Sequence, residues 1–86
     1  LYKLNSSYKY LNSLYYKIYI MEAKKEEIIR WIKEFKRLST SRFVGLLGMD
    51  YDSVKKLLEE LESENIIKKE VETIATYWLL ENDNNL

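Results

Sequence analysis

The sequence contains no cysteine, no histidine and no proline, and only two of its 86 residues are glycine. Without cysteine and histidine there are no disulfide bonds, thiol nucleophiles, zinc fingers or imidazole bases. No hydrophobic run approaches the roughly 18 residues that a membrane-spanning helix needs. These absences predict a protein without cofactor, metal or membrane partner, and they are compatible with a reducing, cytoplasmic setting.

An excess of charge of one sign is also absent, because 14 basic side chains balance 14 acidic ones. Proteins that coat nucleic acid are normally strongly basic. The distribution is uneven, however: residues 1–20 carry Lys3, Lys9 and Lys17 and no acid. The remainder therefore holds 11 basic against 14 acidic side chains, a net charge of minus three.

What is present suffices for one small domain. The chain is 47% hydrophobic, which allows a core and argues against wholesale disorder. Its length is near the lower end of what folds independently.

The first 20 residues use six residue types and contain six of the eight tyrosines. One stripe at the helical spacing of three and four residues consists of Leu4, Tyr8, Leu11, Tyr15 and Ile18. Three interpretations of residues 1–21 remain open. They form a helical arm that packs on the body or on a second copy, a non-native extension before Met21, or a contact with a lipid surface.

Residues 22–37 have the pattern of an amphipathic core helix. Its predicted inward face consists of Ile28, Ile32 and Phe35, widened by Ile29 and Trp31. Glutamates occupy its opening turns, and Lys36 and Arg37 stand at its end, as the helix dipole favours.

Residues 38–67 predict a short helix, a tight turn and a second helix. Hydroxyl side chains at positions 39–41 supply N-cap oxygens, Gly48 allows a left-handed turn, and Asp50 caps the next helix. The inward faces are Phe43, Val44 and Leu47 in the first helix, and Val54, Leu57, Leu58 and Leu61 in the second. Asn65, which tolerates the left-handed conformation, ends the second helix.

After residue 66 the pattern changes to strands. Residues 67–72 suit an edge strand, and residues 75–80 are rich in strand-forming residues. A short connection around residues 72–74 predicts a hairpin, although no glycine or asparagine marks its turn. Residues 81–86 predict a polar tail.

This order of elements resembles the small winged helix-turn-helix regulators of archaea and bacteria, over roughly residues 24–80. The residues that carry the resemblance are Leu47-Gly48-Met49-Asp50, Val54, Leu57, Leu58, Leu61 and, after four residues, Ile66-Ile67. Asn65 stands where such domains commonly have glycine. The resemblance implies an α+β fold, mostly α, with three helices and a C-terminal β-hairpin wing. Residues 1–21 would form an N-terminal helical arm, residues 22–80 the winged-helix domain, and residues 81–86 the tail.

The resemblance further implies a sequence-specific DNA-binding transcription regulator that reads the major groove with the helix over residues 51–64. The partners would be double-stranded DNA and a second copy in a homodimer. The DNA-contacting residues implied are Ser41, Arg42, Tyr51, Ser53, Lys55, Lys56, Lys68 and Lys69. Asp52 would be an acceptor toward cytosine, and Lys36 and Arg37 would add charge nearby.

Each of these assignments has a plainer alternative. The lysines at positions 55 and 56 also suit a solvated helix face, and those at 68 and 69 discourage edge-to-edge strand pairing. The acidic third helix and acidic wing favour a second function, a winged-helix protein-interaction module of a larger assembly. An enzyme is not predicted, because Glu59, Glu60, Glu62 and Glu64 follow a solvated helix and no pocket for a small-molecule ligand is indicated.

Overall fold

A computed structural model describes residues 6–81, with side chains from residue 13 onward. Its elements are α1 (Ser6–Phe35), β1 (Arg37–Ser39), α2 (Thr40–Leu47), α3 (Tyr51–Ser63), β2 (Ile67–Val71) and β3 (Thr76–Leu80). The strands form one antiparallel sheet in the order β1-β3-β2. The helix-turn-helix α2–α3 followed by the β2–β3 hairpin makes this a winged-helix fold, as predicted. In the described part of the chain, no helix has the length and hydropathy to cross a bilayer.

α1 is longer than the sequence pattern indicated. It continues without a break across residues 21 and 22, where a change in composition had suggested a boundary. It also ends earlier than predicted, at Phe35, because Lys36 adopts a left-handed conformation (φ 73°). The Lys36 amide donates to the Ile32 carbonyl at 2.7 Å, which closes the last turn. Three residues of the predicted stripe, Leu4, Tyr8 and Leu11, lie outside the described side chains.

The core lies between the helices and the inner face of the sheet. Its buried hydrophobic residues are Ile28, Ile32, Leu38, Phe43, Leu47, Val54, Leu57, Leu58, Leu61, Ile67, Trp78 and Leu80. The predicted inward stripe of α3 is confirmed in full. The assignment of Phe35 to the core is wrong, since its side chain is 48% exposed and stacks on Trp31 with ring centroids 5.7 Å apart.

β1 was not predicted. It contains three residues, of which Leu38 points into the core, opposite Trp78 of β3. The chain then enters α2 directly, and the buried Thr40 hydroxyl accepts a hydrogen bond from the Trp78 indole N–H at 2.8 Å. β1 therefore anchors the start of the helix-turn-helix to the wing.

The predicted hairpin is confirmed, with each strand one residue shorter than expected. Its register pairs Ile67 with Leu80 at the base and Val71 with Thr76 near the tip. The Glu72 amide donates to the Ala75 carbonyl at 2.9 Å and closes the turn without glycine.

Candidate nucleic-acid interface

The corner between α2 and α3 has the predicted geometry. Gly48 is left-handed (φ 65°), and its amide donates to the Val44 carbonyl at 3.1 Å. Asp50 caps α3, accepting from the Ser53 hydroxyl at 2.7 Å and from the Ser53 amide at 3.0 Å. These two hydrogen bonds, that of the hydroxyl first, lower the pKa of the Asp50 carboxyl below its ordinary value. The corner makes α3 a separate helix from α2, and one face of its first half is exposed to solvent.

The outward face of α3 carries charges of both signs. Four charged residues lie on the face opposite the buried stripe. Asp52 is followed three, four and seven residues later by Lys55, Lys56 and Glu59. All four are exposed, and Tyr51 beside them is 52% exposed. No ion pair among the described residues involves either lysine, so both ammonium groups are available to a ligand.

Ser53 differs from the other predicted contact residues of α3. It is half-buried, and its hydroxyl is already engaged with the cap residue Asp50. The structure thus gives this side chain a capping role, and its contact with a base stays a prediction.

The start of α2 lies at the other end of that helix from the corner, eight residues earlier in the chain. Of the three candidate cap residues at positions 39–41, Ser39 is the N-cap: its hydroxyl accepts from the Arg42 amide at 3.2 Å. The predicted contact residues Ser41 and Arg42 follow in the first turn, and both are exposed. The Arg42 guanidinium takes part in no ion pair within the described residues.

The acidic end of α3 is partly neutralised by a lysine that the sequence analysis missed. Lys25 of α1 is only 8% exposed, and its ammonium lies 3.1 Å from a Glu60 oxygen and 3.2 Å from a Glu64 oxygen. Burial lowers the pKa of Lys25, but the hydrogen bonds and charges of these two glutamates outweigh burial and raise it overall. A usable signal existed, because Lys25 lies on the same helical stripe as Ile28 and Ile32.

The acidic wing is neutralised in the same way. The Arg37 guanidinium contacts Glu70 at 2.7 Å and Glu72 at 3.1 Å, and it lies 3.9 Å above the Tyr77 ring. The hydrogen bonds to Glu72 and Glu70 raise the pKa of Arg37. Arg37 was expected to add positive charge near the DNA, and the structure shows that two carboxylates already compensate its charge. We refer to Arg37, Glu70, Glu72 and Tyr77 as the wing clamp.

The two wing lysines do not act as a pair. Lys68 is opposite Leu79 and Lys69 is opposite Trp78, so they point to opposite faces of the sheet. Lys68 is half-buried and Lys69 is exposed. A duplex lying against one face of the wing therefore meets one of these lysines and not both.

Comparison with known proteins gives structural likeness alone. No protein-family profile and no curated protein sequence matches the chain. A mutant of ZitR from Lactococcus lactis, in its apo form, superposes with a TM-score of 0.65 at 18% identity, covering 86% of this chain and 58% of that one. The Adhesin competence repressor AdcR from Streptococcus pyogenes gives 0.63 at 18% identity, covering 91% of this chain and 64% of that one. This chain thus spans less than two thirds of either protein, and the likeness confirms the winged-helix fold.

Proposed function

We propose that this protein is a sequence-specific transcription regulator that binds double-stranded DNA and reads the major groove with the first half of α3. One observation carries the proposal. Among the described residues, Lys55 and Lys56 on the outward face of α3 take part in no ion pair. By contrast, Lys25 holds Glu60 and Glu64 at the far end of α3, and Arg37 holds Glu70 and Glu72 on the wing. Part of the acidic excess that argued against DNA binding is therefore compensated within the protein, while both lysines stay available to phosphate. The naming of a structural neighbour as a repressor supports a regulator over an enzyme.

The proposed contacts divide by chemistry. Ser41 and Arg42 at the start of α2 would contact phosphate, together with the nearby helix N-terminus. On α3, Tyr51, Lys55 and Lys56 would face base edges, with Ser53 holding the helix start. Of Lys68 and Lys69, the one on the face of the wing turned toward the duplex would contact the flanking backbone. Such a regulator would act in the cytoplasm.

A homodimer would strengthen this binding. α1 carries one stripe that is buried in the body and continues past it as Leu14 and Ile18, which are 41% and 49% exposed. A second copy that covers this continuation would remove apolar surface from water. Two copies of α3 about 34 Å apart would then meet successive turns of the major groove. Deleting residues 1–20 tests the arrangement, since sedimentation should change from a dimer to a monomer mass.

The test of DNA binding is a titration of a labelled duplex at two salt concentrations. Binding should weaken steeply as salt rises, because each phosphate contact releases a counterion. The double variant Lys55→Ala with Lys56→Ala should lose binding. The matched control is Arg30→Ala with Lys33→Ala, which removes the same charge from two exposed side chains in the C-terminal half of α1 and should bind nearly as wild type does. A wild-type protein that ignores DNA near 50 mM salt would end the proposal.

A second candidate function is a protein-interaction module, favoured by the tip of the wing. Val71 and Ile74 are 73% and 87% exposed, and Glu72 stands between them. An apolar and acidic tip suits a protein surface better than a DNA groove. Failure of DNA binding, combined with partner capture that Ile74→Asp abolishes, would favour this function.

A further inference from the structure

The part of α1 that projects beyond the core leaves it next to the corner of the helix-turn-helix. Among the described side chains of α1, Met21 is the one nearest the N-terminus that packs on the core. Together with Met49, Ser53, Lys56 and Leu57 it lines a cavity of about 230 Å³. The segment of α1 around Met21 and the first turns of α3 thus line the same pocket.

The contacts of α1 fix the direction in which it projects. Lys25 contacts the last turns of α3 through Glu60 and Glu64, whereas Met21 lies beside its first turns at Ser53. The N-terminal part of α1 therefore lies on the side of the molecule where α3 begins. Eight further residues, 13–20, extend about 12 Å at 1.5 Å per residue. Only Tyr51 and Asp52 of α3 precede Ser53, so residues 13–20 run past the end of α3 that we propose enters the groove.

The chemistry of this projecting segment suits a polyanion. All residues from 13 to 20 are exposed, and no acidic residue occurs before Glu22. Lys17 takes part in no ion pair within the described residues. Tyr15, Tyr16 and Tyr19 are 69%, 66% and 68% exposed, and phenol hydroxyls are donors to phosphate oxygens.

These four side chains lie off the stripe of Leu14, Ile18 and Met21. With 100° of rotation per residue, Tyr16 and Tyr19 point to the side opposite the stripe, and Tyr15 and Lys17 lie on its two flanks. A second copy that covers the apolar stripe would therefore leave the hydroxyls and the ammonium accessible. Dimerisation and a charged ligand can use the same helix.

We propose that residues 13–20 of α1 form a second DNA contact, in which Lys17 and the three tyrosines bind the sugar–phosphate backbone of the duplex that α3 reads. This rests on the proposed function, and it adds a site on an element that winged-helix geometry alone does not place on DNA. The contact is independent of base sequence, because phosphate and sugar contacts carry no sequence information. It supplies positive charge that residues 21–86, with their net charge of minus three, lack.

The test compares salt dependence in matched variants of the full chain. The probe is a labelled duplex of mixed sequence, about 30 base pairs long, which spans two half-sites one helical turn apart. Lys17→Ala should lower the slope of log affinity against log salt by about 0.9 for each bound copy, the value of one phosphate contact, and so by about 1.8 for the dimer. Affinity at 0.1 M salt should fall on the order of tenfold for each bound copy, by a similar factor for every duplex sequence. Lys33→Ala, on the last turn of the same helix, is the control and should leave slope and affinity unchanged.

A triple variant, with phenylalanine at positions 15, 16 and 19, keeps the aromatic surface and removes the hydroxyl donors. It should weaken binding without changing the sedimentation mass. Wild-type binding with an unchanged slope in Lys17→Ala would overturn the second contact and leave the proposed function standing. Loss of binding that accompanies a change of mass in Lys17→Ala would also overturn it, in favour of a role in dimerisation. A wild-type protein that binds no duplex would overturn both proposals.

Discussion

The indole N–H of Trp78 donates to the hydroxyl of Thr40 at 2.8 Å, and both side chains are at least 95% buried. This hydrogen bond joins the central strand of the sheet to the first turn of α2. It links residues 38 positions apart in the chain and helps to fix the wing relative to the helix-turn-helix.

Replacing Thr40 with valine should lower the free energy of unfolding by about 1–3 kcal/mol, because the buried indole N–H loses its acceptor in a side chain of equal shape. Urea unfolding measures the change. Thr40→Ser restores the hydroxyl and should recover most of the loss. If Thr40→Val in a Trp78→Phe background costs as much as in wild type, the hydrogen bond is not the cause.

The Asp50 cap predicts a dependence of stability on acid pH. Its folded-state pKa is lowered below the ordinary 3.8, so the folded protein binds the proton less readily than the unfolded chain. The stabilisation from the charged cap is therefore complete above about pH 3.8 and is lost as pH falls through the lower folded value. Thermal unfolding of wild type and of Asp50→Asn, which keeps a neutral cap, should differ above this range and converge below it. Parallel curves at all pH values would contradict the prediction.

Lys25 predicts the opposite dependence at alkaline pH. Its folded-state pKa is raised above 10.5, so the stabilisation it provides is complete below that pH and is lost as pH rises through the folded value. Lys25→Met removes the titrating group and keeps the buried stem. The stability difference between wild type and Lys25→Met should favour wild type more at pH 8 than at strongly alkaline pH, as measured by chemical unfolding. A difference that does not vary with pH would show that Lys25 contributes by packing alone.

The wing clamp predicts a local effect on the hairpin. Arg37→Met removes the guanidinium that holds Glu70 and Glu72, so the wing should open more often while the core stays folded. Amide hydrogen exchange at Glu72, whose N–H bonds to Ala75, should become faster than in wild type. High salt should have the same direction of effect on wild type, because the ion pairs are exposed. Lys33→Met, which removes a charge from α1, serves as the control and should leave wing exchange unchanged.

The features that sequence predicted correctly are those with local causes. Gly48 and Asp50 set the corner by their own backbone and side-chain preferences, and the α3 stripe follows from helix periodicity. The hairpin strands were recognisable by composition. Their register was not, because a turn closed by Glu72 and Ala75 carries no specific turn residue.

The features that sequence missed have distant causes. β1 contains one apolar residue, Leu38, and exists because β3 pairs with it from some 40 positions away. Arg37 looked like a free helix-end cation until Glu70 and Glu72 were brought beside it by that pairing. The continuity of α1 has a local cause. No proline, glycine or cap residue interrupts the chain near Met21, so the change in composition there does not end the helix.

The placement of β3 between β1 and β2 has a mechanical consequence. The chain leaves β1 into α2, passes through α3 and β2, and returns along β3 to the strand it started from. The first and last strands of residues 37–80 are thus joined to each other by main-chain hydrogen bonds. A force applied to the wing would therefore be passed to the first turn of α2 by this main-chain pairing as well as by the hydrogen bond from Trp78 to Thr40.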